Sequence, residues 1–423
     1  MATERKLLEK ITCPHCWEQF SPKELLFISS SPELLGDFRL GDTEQQRFLP
    51  SRFDVQGNAI DAKGYACQRL ACPHCHLPCP QSHMEMRPFF ISIAGAPASG
   101  KSYFLASMTW RLRKTLPKYF FTSFQDSDPQ MNARLHEYES MQFLNDDDSA
   151  VVSIEKTQEQ GDLYNTVLQD DQAITYPQPF LFSVTPTAGH VNESRPREVS
   201  VSLALYDNAG ESYLPVRDSD RTTLPVTRHL GKSHCIFFLF DPTQDNRFRL
   251  LCREGSADLQ FKDGYSQRFR RSPLRQEMVL AEVVKRARTY GFLTSSEKYR
   301  GPLVIVVTKL DAWRHLLPNF DFRSPWARTE PGGMSVFLRD QVLTVSKAVR
   351  ELLMLETPEI VSAAEQFASN VVYIPVSATG RSPSIDPRTK DIGFASKDIH
   401  PLWVETPLLY SLTWATRGII PYR

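Results

Sequence analysis

The sequence predicts an α/β protein: a mostly parallel sheet with helices on both faces, preceded by a small cysteine-rich module. Three observations carry that expectation. From residue 88 onward, strand-length apolar runs alternate with helix-like stretches. Most of these runs are near-continuous, as in Cys235-Ile-Phe-Phe-Leu-Phe240, the pattern of a strand buried on both faces. Six of the eight cysteines fall in the first 79 residues, where long periodic segments are scarce.

The expected strands are 88–94, 179–185, 199–206, 235–240, 302–307 and 371–376. The clearest helix covers 335–354, where Leu338, Val342, Val345, Val349 and Leu352 recur at helical spacing. Two stretches break the rhythm. Residues 118–175 are polar and contain Asp146-Asp147-Asp148, and residues 244–299 include the basic run RFRRSPLRQEMVLAEVVKRARTYGF. Both read as insertions in one domain spanning 87–423, with residues 1–86 as a separate module. No internal repeat or low-complexity tract is evident.

The chain has 423 residues, with 49 Lys+Arg against 49 Asp+Glu. That balance gives no general attraction to nucleic acid or to anionic membranes, which leaves local patches only. No apolar run approaches the ~18 residues of a membrane span. The N-terminal MATERKLLEKITCPHC lacks the apolar core of a signal peptide, so a cytoplasmic location is expected.

Gly95-Ala-Pro-Ala-Ser-Gly-Lys-Ser102 follows the first strand-like run and precedes a helix-like stretch. It matches G-x-x-x-x-G-K-[ST], the Walker A phosphate loop. Small residues let backbone N–H groups approach phosphates. Gly95, Ala98, Ser99 and Gly100 would form the cradle, Lys101 would reach the β- and γ-phosphates, and the Ser102 hydroxyl would ligate Mg²⁺. The following helix adds its positive N-terminal end. Outside this context the same residues make a glycine-rich turn.

A second acid on the metal side is expected at the end of another strand. VSVSLALYDNAGES supplies Asp207, which can hold Mg²⁺ through water, and Gly210, whose N–H can meet the γ-phosphate; the bland alternative is a polar turn with an Asp cap. VIVVTKLDAW places Thr308, Lys309 and Asp311 after a buried run. A carboxylate at Asp311 can accept from guanine N1–H and the N2 amino group. Adenine offers no such donor pair. The Lys309 stem can pack along the base. VYIPVSATG ends at Ser377-Ala378, where the Ala378 N–H can donate to guanine O6.

With GAPASGKS, DNAG, TKLD and SA in order, the chain resembles the Ras-like, translation-factor-related P-loop GTPases over roughly residues 88–420. The resemblance implies GTP, GDP and Mg²⁺ as ligands. Thr308 stands where the family usually has Asn. The first-switch Thr is displaced by the 118–175 stretch, and Thr175 is the candidate for it. Glu211 follows Gly210 where many members carry a water-orienting Gln, so Glu211 or a partner would position the attacking water, and hydrolysis is expected to be slow. Arg217, Arg221, Arg228, Arg268, Arg270 and Arg271 are candidate arginine fingers, against the plainer reading of solvated surface charge.

ITCPHCWEQF and LACPHCHLPCP each hold a C-P-H-C knuckle. In a reducing compartment such pairs point to metal rather than disulfide. Cys13, Cys16, Cys72 and Cys75 form a tetrahedral, structural Zn²⁺ site by expectation, a zinc-ribbon-like module. Cys67 or Cys79 can replace a ligand. His15, His74 and His76 read as non-ligands, and residues 17–66 must form loops or small strands of their own.

The leading functional expectation is a regulatory GTPase that engages a partner protein through its switches, insertions or zinc module. Its domain arrangement and DNAGE variant resemble the double-GTPase-like proteins of bacterial conflict systems, which implies action with a neighbouring component. The alternatives are a GTP-binding scaffold without turnover, a metal-handling GTPase, and a nucleic-acid-binding zinc module steered by GTP, which the zero net charge disfavours.

Overall fold

The structure, a computed structural model, describes residues 7–154, 163–170, 172–208, 210–213, 225–262, 275–386, 390, 392–415 and 418–423. Its centre is a seven-stranded sheet built from β1 (Arg87–Gly95), β2 (Thr122–Asp126), β3 (Phe180–Pro186), β4 (Val201–Asp207), β5 (Cys235–Phe240), β6 (Tyr299–Val307) and β7 (Ala368–Pro375). The spatial order is β2-β3-β4-β1-β5-β6-β7. Pairings β4/β1, β1/β5, β5/β6 and β6/β7 are parallel. β3 runs against both of its neighbours. The apolar runs become these strands because every residue of β4 and β5 is buried, which suits Val, Ile and Phe on a doubly covered pleat.

The main helices are α1 (Lys101–Phe120), α2 (Ala133–Phe143), α3 (Gln276–Gly291), α4 (Arg339–Glu356), α5 (Pro358–Phe367) and α6 (Thr406–Ala415). Phe104, Leu105, Met108 and Leu112 of α1 join Phe89, Ile91 and Ile93 of β1 in the main core. Among the described residues, no helix is long and apolar enough to cross a membrane.

Parts of both expected insertions join the sheet and its core. Within 118–175, Thr122–Asp126 is the edge strand β2 of the central sheet, and α2 packs on α1. Its polar appearance hides a specific attachment. Phe124 stacks on Phe182 at 4.5 Å, and the Arg113 guanidinium lies 5.6 Å from the Phe182 ring centre. Arg113 also holds Asp126 through two hydrogen bonds of 2.8 and 2.9 Å, a bidentate geometry that fixes orientation. Within 244–299, the basic run contains α3, whose Val279, Leu280, Val283 and Ala287 are buried in the main core. Lys285 lies on the exposed stripe, as expected of an amphipathic helix, whereas Arg286 is buried with the apolar residues and donates to Ser212 O and Thr227 Oγ1.

A further departure concerns the layers. Phe90, Leu181, Ala204 and Tyr206 share a hydrophobic cluster with Ile11, Trp17, Phe20, Leu77 and Met84. Over β1, β3 and β4, therefore, the cysteine module itself covers this face of the sheet. The expectation of helices on both faces fails there, because the six-residue-spaced knuckle residues Ile11 and Trp17 supply the apolar cover instead. The module is made of short strands, among them a four-stranded sheet that includes Leu26–Ile28 and Leu70–Ala71.

Candidate functional site

Two sites emerge, one made of thiols and one of loops at the ends of the central strands. Each C-P-H-C segment turns between two short antiparallel strands. The two turns repeat one backbone design. Trp17 N–H donates to Cys13 O at 3.1 Å, and His76 N–H donates to Cys72 O at 3.0 Å. His15 N–H and His74 N–H reach the Cys13 and Cys72 sulfurs, each at 3.3 Å. Trp17 and His76 both take φ of 61°. The paired turns bring Cys13, Cys16, Cys72 and Cys75 together, with all four sulfurs within 4.8 Å of one another.

The Cys13–Cys75 and Cys16–Cys72 sulfur separations are 3.7 and 3.8 Å. A tetrahedron with Zn–S bonds of about 2.3 Å has edges of about 3.8 Å, so the four residues fit a zinc-like ion. Burial pushes the Cys13 and Cys75 thiols up, while hydrogen bonds from Cys13, Cys16 and Cys75 pull Cys72 down. A divalent cation would replace the protons these sulfurs otherwise share.

Neither spare cysteine belongs to the four. Cys67 accepts from Ser30 N–H at 3.3 Å and donates towards Asp61 at 3.6 Å, and Cys79 is buried beside Cys13 with its thiol towards Leu77 O. The histidines have other partners. His15 Nε2 meets Pro78 O at 3.0 Å, and burial pushes it down to about 4. His76 pairs with Asp37 at 2.8 Å, and His74 packs edge-on against Phe20.

The second site begins where β1 ends. A side chain at Gly95 would come within 2.9 Å of Leu239 O and of Ser99 Oγ, so the strand end admits only glycine. Ala98 has φ of 61° and Gly100 φ of 86°. Left-handed residues so close together line backbone N–H groups along a concave turn, the shape that binds anions. Gly100 caps α1 without a side-chain hydrogen bond, which leaves the helix's first N–H groups to other acceptors. Among the described residues, the buried Ser99 hydroxyl has no hydrogen-bond partner. Lys101 Nζ donates to Gly95 O and Ala96 O, both at 3.0 Å. Ser102 occupies the first turn of α1.

Parallel register sets Asp207 opposite Ile93, at the level where β1 runs out, and its side chain is buried. Gly210 opens a short 3-10 turn, Gly210–Tyr213, in which Glu211 is its neighbour. A methyl group on Gly210 would lie 2.5 Å from Pro97 N and 2.8 Å from Ala96 C. The two loops therefore touch backbone to backbone.

Three further loops converge on the same end of the sheet. Thr308 Oγ1 donates to Ser99 O at 3.3 Å, which ties the β6 end to the 95–102 loop. Lys309, at φ of 55°, reaches the buried Asp241 at 2.7 Å. Burial pulls the Lys309 ammonium down, and the carboxylates of Asp241, Asp258 and Asp311 together more than offset this. Asp311 accepts from the Ser377 hydroxyl, and from Ser382 Oγ at 3.5 Å. Burial pushes the Asp311 carboxyl up from its ordinary range. Gly380 N–H donates to Ser377 Oγ at 2.8 Å, across a turn that holds Ala378 and Thr379.

Thr175 is placed differently from its expected role. It sits in the hairpin of Tyr164–Gln169 and Gln172–Pro177, opposite Thr166, with 3.4 Å between the hydroxyls. Its observed partner is that cross-strand threonine rather than the head of α1. Arg228 is exposed. Arg217, Arg221, Arg268, Arg270 and Arg271 lie outside the described residues.

Sequence reasoning missed Asp241, Gln244 and Gln276. Gln244 Nε2 donates to Ala98 O at 2.8 Å and to Asp241 at 3.0 Å. Gln276 exchanges two 2.8 Å hydrogen bonds with the Asp241 backbone. The signal was present in Asp241 itself, a carboxylate directly after the apolar run 235–240, just as Asp207 follows the run before it. No protein-family model matches this chain, and no curated protein matches it.

Proposed function

We propose that the loops at the ends of β1, β4, β6 and β7 bind a guanine nucleotide with Mg²⁺, and that the protein hydrolyses GTP slowly as a switch towards a partner protein. The observation that carries this reading is the joining of two motifs far apart in sequence. Ser99, in the glycine-rich turn, accepts from Thr308, three residues before Asp311, and Asp311 is bound by Ser377. Phosphate-loop and base-loop residues are thus linked in one constellation, and the unpartnered Ser99 hydroxyl and left-handed Ala98 suit an anion in the turn.

In this reading Gly95, Ala98, Ser99 and Gly100 surround the phosphates and Lys101 balances their charge. Ser102 and Asp207 hold Mg²⁺, which neutralises charge developing on the phosphates. Thr308, Lys309, Asp311, Ser377 and Ala378 hold the base. The Gly210 N–H would meet the γ-phosphate, and Glu211 or a partner would position the attacking water. The four cysteines, none more than 9 % exposed, suit a structural zinc ion rather than one handed to a client.

The test is equilibrium binding of GTP, ATP and XTP to the purified full chain and to Asp311→Asn. Preference for GTP that shifts towards XTP in the variant supports the reading. Preference for ATP, or indifference to Asp311, removes it. Phosphate release by wild type, lost in Lys101→Ala, separates a GTPase from a scaffold that only binds.

A further inference from the structure

We propose that Gln142 of α2, acting with Ser107 of α1, is a specificity-determining pair that aims the Ala378 N–H at the six-position oxygen of a guanine base. The proposal rests on the guanine-nucleotide reading above. Ser107 Oγ donates to Ala378 O at 2.7 Å. Gln142 Nε2 donates to Ser107 Oγ at 2.8 Å and to Ala378 O at 3.3 Å. Ser107 and Gln142 are 0 % and 1 % exposed, so water does not compete for these bonds.

The rest of the turn is pinned as well. Ser377 exchanges hydrogen bonds with Leu402, N–H to Leu402 O at 3.0 Å and O from Leu402 N–H at 2.8 Å. Thr379 O accepts from His400 N–H at 2.8 Å. Gly380, at φ of 74°, lies against His400 O so closely that a side chain there would collide with it. Ser377 Oγ is held between Asp311 and Gly380 N–H. Every carbonyl from Ser377 to Thr379 is committed. Among the described residues, the Ala378 N–H donates to no other group. A turn fixed in this way holds the Ala378 N–H in one orientation, next in sequence to Ser377, whose hydroxyl is bonded to Asp311.

Gln142 carries a second, independent observation. Its Oε1 is buried and, among the described residues, has no hydrogen-bond partner. A buried acceptor left unmatched lowers stability, and an apolar side chain of similar length would avoid that loss. A purely structural role is therefore better served by Met or Leu. What glutamine supplies is the Nε2 donor, and that donor reaches the base turn. The arrangement also places α2, a helix inside a segment with no recognisable nucleotide motif, in direct contact with the loop that reads the base.

The experiment compares wild type, Gln142→Met and Ser107→Ala as full chains, with three diphosphates as probes and ADP as the reference. GDP has the six-position oxygen and the two-position amino group. Inosine diphosphate keeps the oxygen and lacks the amino group. 6-Thioguanosine diphosphate keeps the amino group and offers only a weak acceptor at position six. Loosening the Ala378 turn should weaken GDP and inosine diphosphate alike, by about tenfold, and leave 6-thioguanosine diphosphate nearly unchanged. Thermal unfolding of the nucleotide-free Gln142→Met chain should match or exceed wild type. If that variant does not fold, Ser107→Ala gives the same readout through the shorter bond.

Equal weakening of all three probes, or none, overturns the inference while leaving guanine binding by wild type in place. Wild type that does not prefer GDP over ADP overturns the guanine reading and this inference together.

Discussion

The indole N–H of Trp17 donates to the Tyr206 hydroxyl at 3.0 Å, and that hydroxyl donates to Pro14 O at 2.6 Å. Trp17 and Pro14 belong to the first cysteine knuckle, and Tyr206 immediately precedes Asp207 on β4. The Tyr206 ring also stacks on His229 at 4.9 Å. His83 completes the attachment, bridging Thr12 O and Ser202 Oγ at 2.8 Å each. The thiol site is thus hydrogen-bonded to the residue beside the proposed magnesium-side carboxylate. Tyr206→Phe removes one hydroxyl and strands two buried partners, the Trp17 N–H and the Pro14 carbonyl. The expected loss is ~1–3 kcal/mol of unfolding free energy, read by urea denaturation with intrinsic tryptophan fluorescence. An unchanged midpoint would show that the bonds contribute nothing net.

Metal removal should act through the same contact. One equivalent of zinc per chain is expected by elemental analysis, lost in Cys13→Ser or Cys72→Ser. Because a metal that binds only the folded chain stabilises it by mass action, chelation should lower the melting temperature. It should also weaken the Mg²⁺ dependence of nucleotide binding several-fold, since Tyr206 loses its anchor on the knuckle. Melting that is insensitive to chelator, with zinc absent from the purified chain, would make the four thiols a plain buried cluster.

Much of this arrangement was legible in the order of residues. Buried parallel strands leave long apolar runs, and a carboxylate directly after such a run, as at Asp207 and Asp241, marks the end of the sheet. The paired C-P-H-C turns carry their own spacing. What stayed hidden was long-range packing. Thr122–Asp126 holds too few apolar residues to signal a sheet strand, and part of its attachment is the Arg113 guanidinium lying over Phe124 and Phe182. Thr175 read as a switch residue because it precedes a strand, but a hairpin register decides its partner, and register is set by pairing rather than by local sequence. Ser107 and Gln142 read as unremarkable helix positions, since their partner Ala378 lies 271 and 236 residues away.

His229 gives a pH dependence with a definite sign. Burial and then the Arg286 charge push its imidazole down to about 3 from an ordinary 6.5. It stays neutral in the folded chain, with Nδ1 on Ser92 Oγ at 2.5 Å. The unfolded chain takes up a proton near pH 6.5 and the folded chain does not. The contribution to stability is therefore complete above pH 6.5 and is lost as the pH falls towards 3. Between pH 7 and 5 this one residue should lower the unfolding free energy by ~2 kcal/mol. His229→Phe, which preserves the stack on Tyr206, should flatten that slope by about one proton. A slope identical to wild type would assign the titration to other groups.

Ala98 and Gly210 make opposed predictions about the same turn. Ala98 pays a left-handed penalty of ~1–2 kcal/mol that glycine does not. Replacing alanine by glycine also frees the unfolded chain, at a cost of ~0.4–1 kcal/mol. The first effect is the larger, so Ala98→Gly should stabilise the chain by ~0.5–1 kcal/mol and leave nucleotide affinity within a few-fold of wild type. Gly210→Ala sends a methyl group into the backbone of Ala96 and Pro97, where no flexible side chain can yield. It must push the two loops apart, and nucleotide affinity should fall at least tenfold, with a smaller change in melting temperature because the displaced segments are at the sheet's end rather than in its core. Calorimetric titration of both variants with GDP and GTP separates the effects. A destabilised Ala98→Gly, or a Gly210→Ala that binds like wild type, would mean that the turn adopts another shape when nucleotide is bound.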